Sequence, residues 1–179
     1  MINEQQALEL LKKYNLPDRV INHCRIVSNR AKEIAKRINM KGIASVDAET
    51  EKIAGLLHDI GRANRLAENG YKESIENGHE RESEKILEAE GLPEIAKLIR
   101  RHGVQTLLCN PSELSLEEKV IIYADLTTSG TDVCTSDERY RRSIEIYSEG
   151  PRKDLRVLGL LKENWHKFGE IEEEIKGLM

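Results

Sequence analysis

Strand-forming patterns are nearly missing from this 179-residue chain. Aromatic residues make up only 4% of it, with a single tryptophan and a single phenylalanine. Runs in which β-branched or aromatic residues alternate with polar ones hardly occur, which argues against a sheet-based fold. No stretch of about 18 consecutive apolar residues is present, so a membrane-spanning helix is not expected. The N-terminal MINEQQALELLKKY lacks the basic start and apolar core of an export signal, and the cytoplasm is the expected compartment. Cysteine is sparse: Cys24, Cys109 and Cys134 are odd in number, far apart and without a C-x-x-C pair. They read as free thiols, not as a disulfide framework or zinc ribbon. Charge of one sign is not concentrated either, because 28 basic and 32 acidic residues alternate to a net charge of -4. No basic stripe points to a nucleic-acid duplex as partner.

What the chain does have is apolar residues at helical spacing almost throughout, at a length that suits one domain with a real core. The expected fold is all-α, a compact helical bundle forming a single domain over residues 1–179. A short first helix covers about 3–14. A second starts at Leu16-Pro17-Asp18 and presents Val20, Cys24, Val27, Ala31, Ile34, Ala35 and Ile38 on one face until Lys41-Gly42 breaks it. Asp47 is the expected N-cap of a third helix through Ile53, Ala54, Leu56, Leu57 and Ile60, ending at Gly61. This helix is apolar on nearly every side near its end and should lie at the centre of the bundle. The stretch from Arg62 to Gly78, with Asn64, Asn69, Gly70 and Asn77, is the longest expected loop. Further helices are expected over 79–90 before Gly91 and from Pro93 to His102 before Gly103. Ser115 and Glu118 form a capping box for a helix through Asp125 and Leu126. The remaining helices cover about 136–148 and run from about 153 toward the C-terminus. Gly150-Pro151 is only a break between helices, and no internal repeat or linker occurs.

Several ionisable residues fall on inward faces. His23 has Val20, Val27 and Ala31 as helical neighbours. His58 and Asp59 sit in Ala54-Gly-Leu-Leu-His-Asp-Ile-Gly61, where burying an ionised carboxylate costs several kcal/mol unless it is paired or bound to a cation. Asp125 shares a face with Ile121 and Ile122, and His102 shares one with Ile95, Leu98 and Ile99. Each alone fits a core histidine bonded to a backbone carbonyl, or an aspartate paired with an arginine. Together, imidazoles and carboxylates on the inward faces of at least four helices suit convergence on divalent cations.

At these residues the chain resembles the HD domain metal-dependent phosphohydrolases. Their pattern is a histidine on one helix, a His-Asp doublet on a later one and a distant aspartate, met here as His23, His58-Asp59 in LLHDIGR, and Asp125 in EKVIIYAD. The resemblance spans about residues 16–130, with the helices of about 136–179 packing on that core. Members with two metals use two further histidines between the doublet and the last aspartate. His79 in Asn-Gly-His-Glu80 and His102 in Arg-Arg-His-Gly103 stand in that order. His79 read by itself also fits a solvated residue at a helix N-terminus, where the macrodipole favours neutral imidazole. His166 matches no position of the pattern.

The resemblance implies a ligand set of His23, His58, Asp59, His79, His102 and Asp125 holding one or two divalent ions per chain, with iron, manganese, cobalt, nickel and zinc all compatible. It implies that Asp59 bridges two metals and that metal-acidified water attacks phosphorus, with His58 and Asp59 at the catalytic centre. Arg62 joins them because a polyanionic substrate needs cations beyond the metals and Arg62 directly follows the HDIG turn. Arg62 and Arg65, after the doublet, and Arg101, beside His102, are the candidates for binding the phosphorylated small-molecule substrate. The layout and the segment Leu116-Glu-Glu-Lys-Val-Ile-Ile-Tyr-Ala-Asp125 are similar to small bacterial HD proteins that cleave diadenosine tetraphosphate. Those continue with a Glu-Pro stretch and an arginine, whereas this chain continues Leu126-Thr-Thr-Ser-Gly130. The Gly-Tyr-Pro of the cyclic-dinucleotide phosphodiesterases in the superfamily is absent. The expected function is hydrolysis of a phosphoester or phosphoanhydride in a nucleotide or dinucleoside polyphosphate, with no role for a duplex or a membrane. A non-catalytic metal-binding signalling domain and a di-iron oxygenase are the alternatives, and oligomerisation is left open.

Overall fold

The structure, a computed structural model, describes residues 2–63 and 78–179 and is all-α. Helix α1 (Glu4–Lys13) starts at a capping box between Asn3 and Gln6. Helix α2 (Asp18–Lys41) begins after Pro17 and stops at Gly42, whose φ of 68° provides the left-handed cap expected from the sequence. In α3 (Ala48–Leu57) the Asp47 side chain accepts from the backbone N–H groups of Glu49 and Thr50. Beyond it come α4 (His79–Ala89), α5 (Pro93–Ile99) and two 3₁₀ segments, Gly103–Leu108 and Pro111–Glu113. Helix α6 (Leu116–Leu126) opens on the expected Ser115/Glu118 capping box. A two-stranded hairpin pairs Thr128–Ser129 with Asp132–Val133, and α7 (Ser136–Ser148), α8 (Leu155–Asn164) and α9 (His166–Leu178) complete the chain.

Helix α2 packs along α3 and α6, which also touch each other; α4 pairs with α5, and α9 lies against α6 and α2. Helix α7 packs on α8, which leans on the first 3₁₀ segment. One apolar cluster runs from Ala7 and Leu11 through Leu57, Ile60 and Ile121 to Ile171 and Ile175. Two helices are central: α3 as expected, and α6, in which every residue from Glu118 to Leu126 is buried. Gly55 explains how closely α3 sits on α2, because a Cβ there would lie 2.9 Å from the Ser28 Cα. Among the described residues no helix is long and apolar enough to cross a membrane.

Four sequence expectations need correction. Helix α3 ends at Leu57, not at Ile60, and the next residues turn more tightly, with Ile60 N–H bonded to Leu57 O and Arg62 N–H to Asp59 O. Gly61 is not a left-handed stop. It is required because a Cβ would meet the His79 carbonyl oxygen at 2.3 Å and the Ser83 nitrogen at 2.4 Å. Helix α5 ends at Ile99, and His102 follows it in a turn. The C-terminal segment breaks at Trp165 into α8 and α9, and the hairpin after α6 was not anticipated. Its strands have two residues each, too short for alternation to register.

Candidate metal centre

The tight turn after α3 points His58 and Asp59 to the place where α2, α4, α6 and the end of α5 meet. That turn is tied to α4 by one hydroxyl: Ser83 Oγ accepts the Gly61 N–H at 2.9 Å and donates to His58 O at 2.8 Å. Helix α4 is tied in turn to the segment after His102. The buried Glu80 accepts the Val104 N–H through Oε1 at 3.2 Å. These ties hold His79 and His102 within 3.2 Å of each other at Nε2.

The Asp59 carboxylate divides the cluster. Its Oδ1 faces His79 Nε2 at 3.1 Å and His102 Nε2 at 3.6 Å. Its Oδ2 faces His58 Nε2 at 3.7 Å and His23 Nε2 at 3.9 Å. Asp125 Oδ1 completes this second side, 3.2 Å from His23 Nε2 and 3.8 Å from His58 Nε2. Ligand atoms of His23, His58 and Asp125 all lie within 4.8 Å of one another, as do those of His58, Asp59 and His102.

Ring orientation is fixed from behind. Nδ1 of His23 lies 2.7 Å from Gly130 O, and Nδ1 of His58 lies 2.7 Å from Gly55 O. Nδ1 of His102 approaches Ile99 O at 2.5 Å. Such a bond places the proton of a neutral imidazole on Nδ1 and turns the Nε2 lone pair toward the carboxylates. Lone pairs facing carboxylate oxygens repel unless a cation stands between them. His58 Nε2 is buried and makes no hydrogen bond. The donor set thus fits divalent metal ions, with His23, His58 and Asp125 on one side of Asp59 and His79 and His102 on the other.

The electrostatics agree with a neutral His58 between ionised aspartates. Burial pushes His58 down to about 4, against the pull of Asp59 and Asp125. For Asp59 burial acts upward, but Arg62, His58 and His79 outweigh it and hold the carboxyl well below its usual range. Asp125 is lowered in the same way, with burial opposed by the bond to His23 and the charge of Arg139. For His23 burial acts downward, but Asp125, Asp59 and the Gly130 carbonyl together outweigh it, so this one histidine is raised and in the absence of a cation leans toward its charged form.

All six expected ligands come together, and His79 is buried rather than solvated. The simple readings of single residues also hold, at the far side of each ring: histidines bond carbonyls, and Asp59 pairs with an arginine. Arg62 is that partner, with Nε 2.5 Å from Asp59 Oδ2 and Nη2 3.0 Å from His79 Nε2. Arg101 does not fit the expected substrate contact. Its guanidinium is held by both Glu118 oxygens and by Glu113 O, so it braces the start of α6. Arg65 and the expected loop over Asn64, Asn69, Gly70 and Asn77 lie outside the described residues. His166 is exposed and apart from the centre.

Sequence reasoning missed the hairpin carbonyl of Gly130, the Ser83 and Glu80 ties, and a cleft beside the centre. That cleft is lined by Arg19, His23, Asp59, Arg62, Arg139 and Arg152, among others. The spacing of Arg139, Ser143 and Tyr147, four residues apart on α7, was an available signal for one helix face.

The HD domain family model matches residues 20–130. An uncharacterized protein of Methanocaldococcus jannaschii is 34% identical over 139 residues, which cover 71% of this chain and 76% of that one. No solved structure matches the chain. The chain belongs to the HD domain family, and with it to a superfamily of metal-dependent phosphohydrolases with divalent metal sites.

Proposed function

We propose that this protein hydrolyses a phosphoester or phosphoanhydride bond in a small phosphorylated molecule, a nucleotide or dinucleoside polyphosphate, using two divalent cations per chain. The observation that carries the reading is that the two oxygens of Asp59 divide the other five ligands, with three of the four imidazoles fixed through Nδ1. Metal ions bound there supply Lewis acidity toward phosphoryl oxygens and lower the pKa of a water. Iron, manganese, cobalt, nickel and zinc all suit imidazole and carboxylate donors.

The chain's own residues position and balance charge. His58 stays unprotonated at neutral pH because burial depresses it, so Nε2 remains a donor of electrons. Arg62 lines both cavities at the centre, and its planar fork can turn from Asp59 to a phosphoryl oxygen. An adjoining pocket lined by Leu107, Trp165 and Phe168 offers an apolar wall for the organic part of the substrate. The six ligands are held at the meeting of helices, most of them buried, which suits a small molecule better than a duplex or a membrane surface.

The deciding experiment is a panel of nucleotides, dinucleoside polyphosphates and phosphodiesters, each assayed with the five metals. Turnover of at least one compound, lost on chelation and restored by metal, is expected. Metal-loaded protein that turns over none of them would overturn the reading, and an oxygen-dependent spectral change of the iron form would assign oxygenase chemistry instead.

A further inference from the structure

Resting on the phosphohydrolase reading, we infer that the substrate carries a second anionic group beyond the phosphoryl group at the metal centre, and that Arg19 and Arg139 hold it. The cleft beside His23 draws arginines from separate parts of the chain: Arg19 at the start of α2, Arg62 after α3, Arg139 on α7 and Arg152 in the turn before α8. Asp59 is the one acidic side chain lining it among the described residues. In a chain of net charge -4, this is a strong local excess of positive charge.

Converging guanidinium groups repel one another, and the arrangement gains a reason once an anion lies between them. Arg62 holds Asp59 and His79 and is placed to meet the phosphoryl group at the metal ligands, so it does not account for the other cleft arginines. Arg19 and Arg139 make no hydrogen bond or ion pair through their side chains with described residues, although the charge of Arg139 helps to depress Asp125. Both residues line the cleft, and their planar forks have donors to spare. A single phosphoryl group at the ligands would leave them unused, whereas a di- or polyphosphate chain running past His23 would reach them.

Arg139 also lines the apolar pocket against Trp165 and Phe168, so it stands where the anionic and organic parts of one molecule would join. It lies outside residues 20–130, the part that matches the family model.

The test uses the full chain loaded with manganese, with metal content measured before and after each titration. Inorganic orthophosphate and tripolyphosphate are titrated calorimetrically into the wild type and the Arg19→Ala, Arg139→Ala and Arg139→Gln variants. Loss of a charge-assisted contact should weaken tripolyphosphate about 10- to 100-fold in both Arg139 variants, and about 3- to 10-fold for the more exposed Arg19. Orthophosphate binding should change less than about threefold. Circular dichroism verifies folding, and Arg139→Gln, which keeps most of the side chain, carries the test if the alanine variant misfolds. Unchanged tripolyphosphate binding, or equal losses for both anions, overturns the inference. If the wild type hydrolyses phosphoesters in that case, the proposed function stands without it. If instead the wild type hydrolyses nothing but tripolyphosphate binding depends on Arg139, the anion site stands and the hydrolase reading falls.

Discussion

Gly61 offers the sharpest test of how the centre is assembled. A methyl group there would sit 2.3 Å from His79 O and 2.4 Å from Ser83 N, both backbone atoms of α4. Ordinary contact needs more than 3.4 Å, so in Gly61→Ala the start of α4 must retreat by about 1 Å, an overpacking that costs typically 1–3 kcal/mol. The upper end applies, because no flexible side chain can yield and the Gly61 N–H bond to Ser83 is strained at the same time. For a domain of this size about 3 kcal/mol lowers the thermal midpoint by roughly 6–12 °C. The displacement also carries His79 away from Asp59 Oδ1, now 3.1 Å distant, and leaves the His23, His58 and Asp125 side in place. Bound metal should therefore fall from about two ions per chain toward one, and misplacement of about 1 Å should cost on the order of 100-fold in turnover. Thermal unfolding, metal counting and steady-state rates measure the three effects. A Gly61→Ala protein with the wild-type midpoint and full metal content would refute the claim that this glycine sets the approach of α4.

Other perturbations separate the remaining parts. His58→Ala or Asp59→Ala should abolish hydrolysis yet leave a helical protein by circular dichroism, because the apolar core is built from other residues; retained turnover would remove the mechanism. His79→Ala and His102→Ala should each lower metal content toward one ion per chain, and a wild type that binds one ion, unchanged in both variants, would demote the pair. Arg62→Ala should raise KM about tenfold or more, and should widen the gain in thermal midpoint on adding metal, since the metal-free protein loses the guanidinium balancing Asp59. Equal gains in wild type and variant would contradict this. Glu51 is fully buried with neither carboxyl oxygen hydrogen-bonded, and burial pushes it up to about 9. Its folded pKa exceeds the unfolded one, so the protein should lose stability relative to Glu51→Gln as pH rises from about 4.5 toward 9, by about 3 kcal/mol at neutral pH. Parallel denaturant profiles of the two proteins across that range would contradict the assigned burial cost.

How far the sequence could be read depended on whether a feature was local. Helix starts at Asp47 and Ser115 were legible because the capping partners lie within a few residues of one another. The inward placement of His23 and Asp125 followed from helical spacing alone, whereas His102 is buried by the turn that follows Ile99 and not by the helix expected to carry it. His58 and Asp59 were found through the apolar residues before them, although they occupy a turn and not the helix. The role of Gly61 was misread, because a close approach by α4 leaves the same mark in sequence as a helix stop. Arg101 stood beside a ligand in sequence but turned to Glu118, a partner 17 residues away that no local rule identifies. The Gly130 carbonyl behind His23 comes from a position 107 residues distant, and backbone groups carry no residue-type signal at all.

The same contrast divides the centre from the cleft. Ligands must be buried to exclude competing water, and burial leaves an apolar frame in sequence that a short window detects. The cleft arginines need the opposite, solvent access and a path for an anion, so their neighbours are polar and each resembles an ordinary surface residue. Arg19 and Arg139 are 120 positions apart and come to the same cleft only in the folded chain. A change in α7 can therefore alter which anion is held without moving a ligand. Changes at the inward positions of α2, α3 or α6 cannot, because those faces both build the core and aim His23, His58, Asp59 and Asp125.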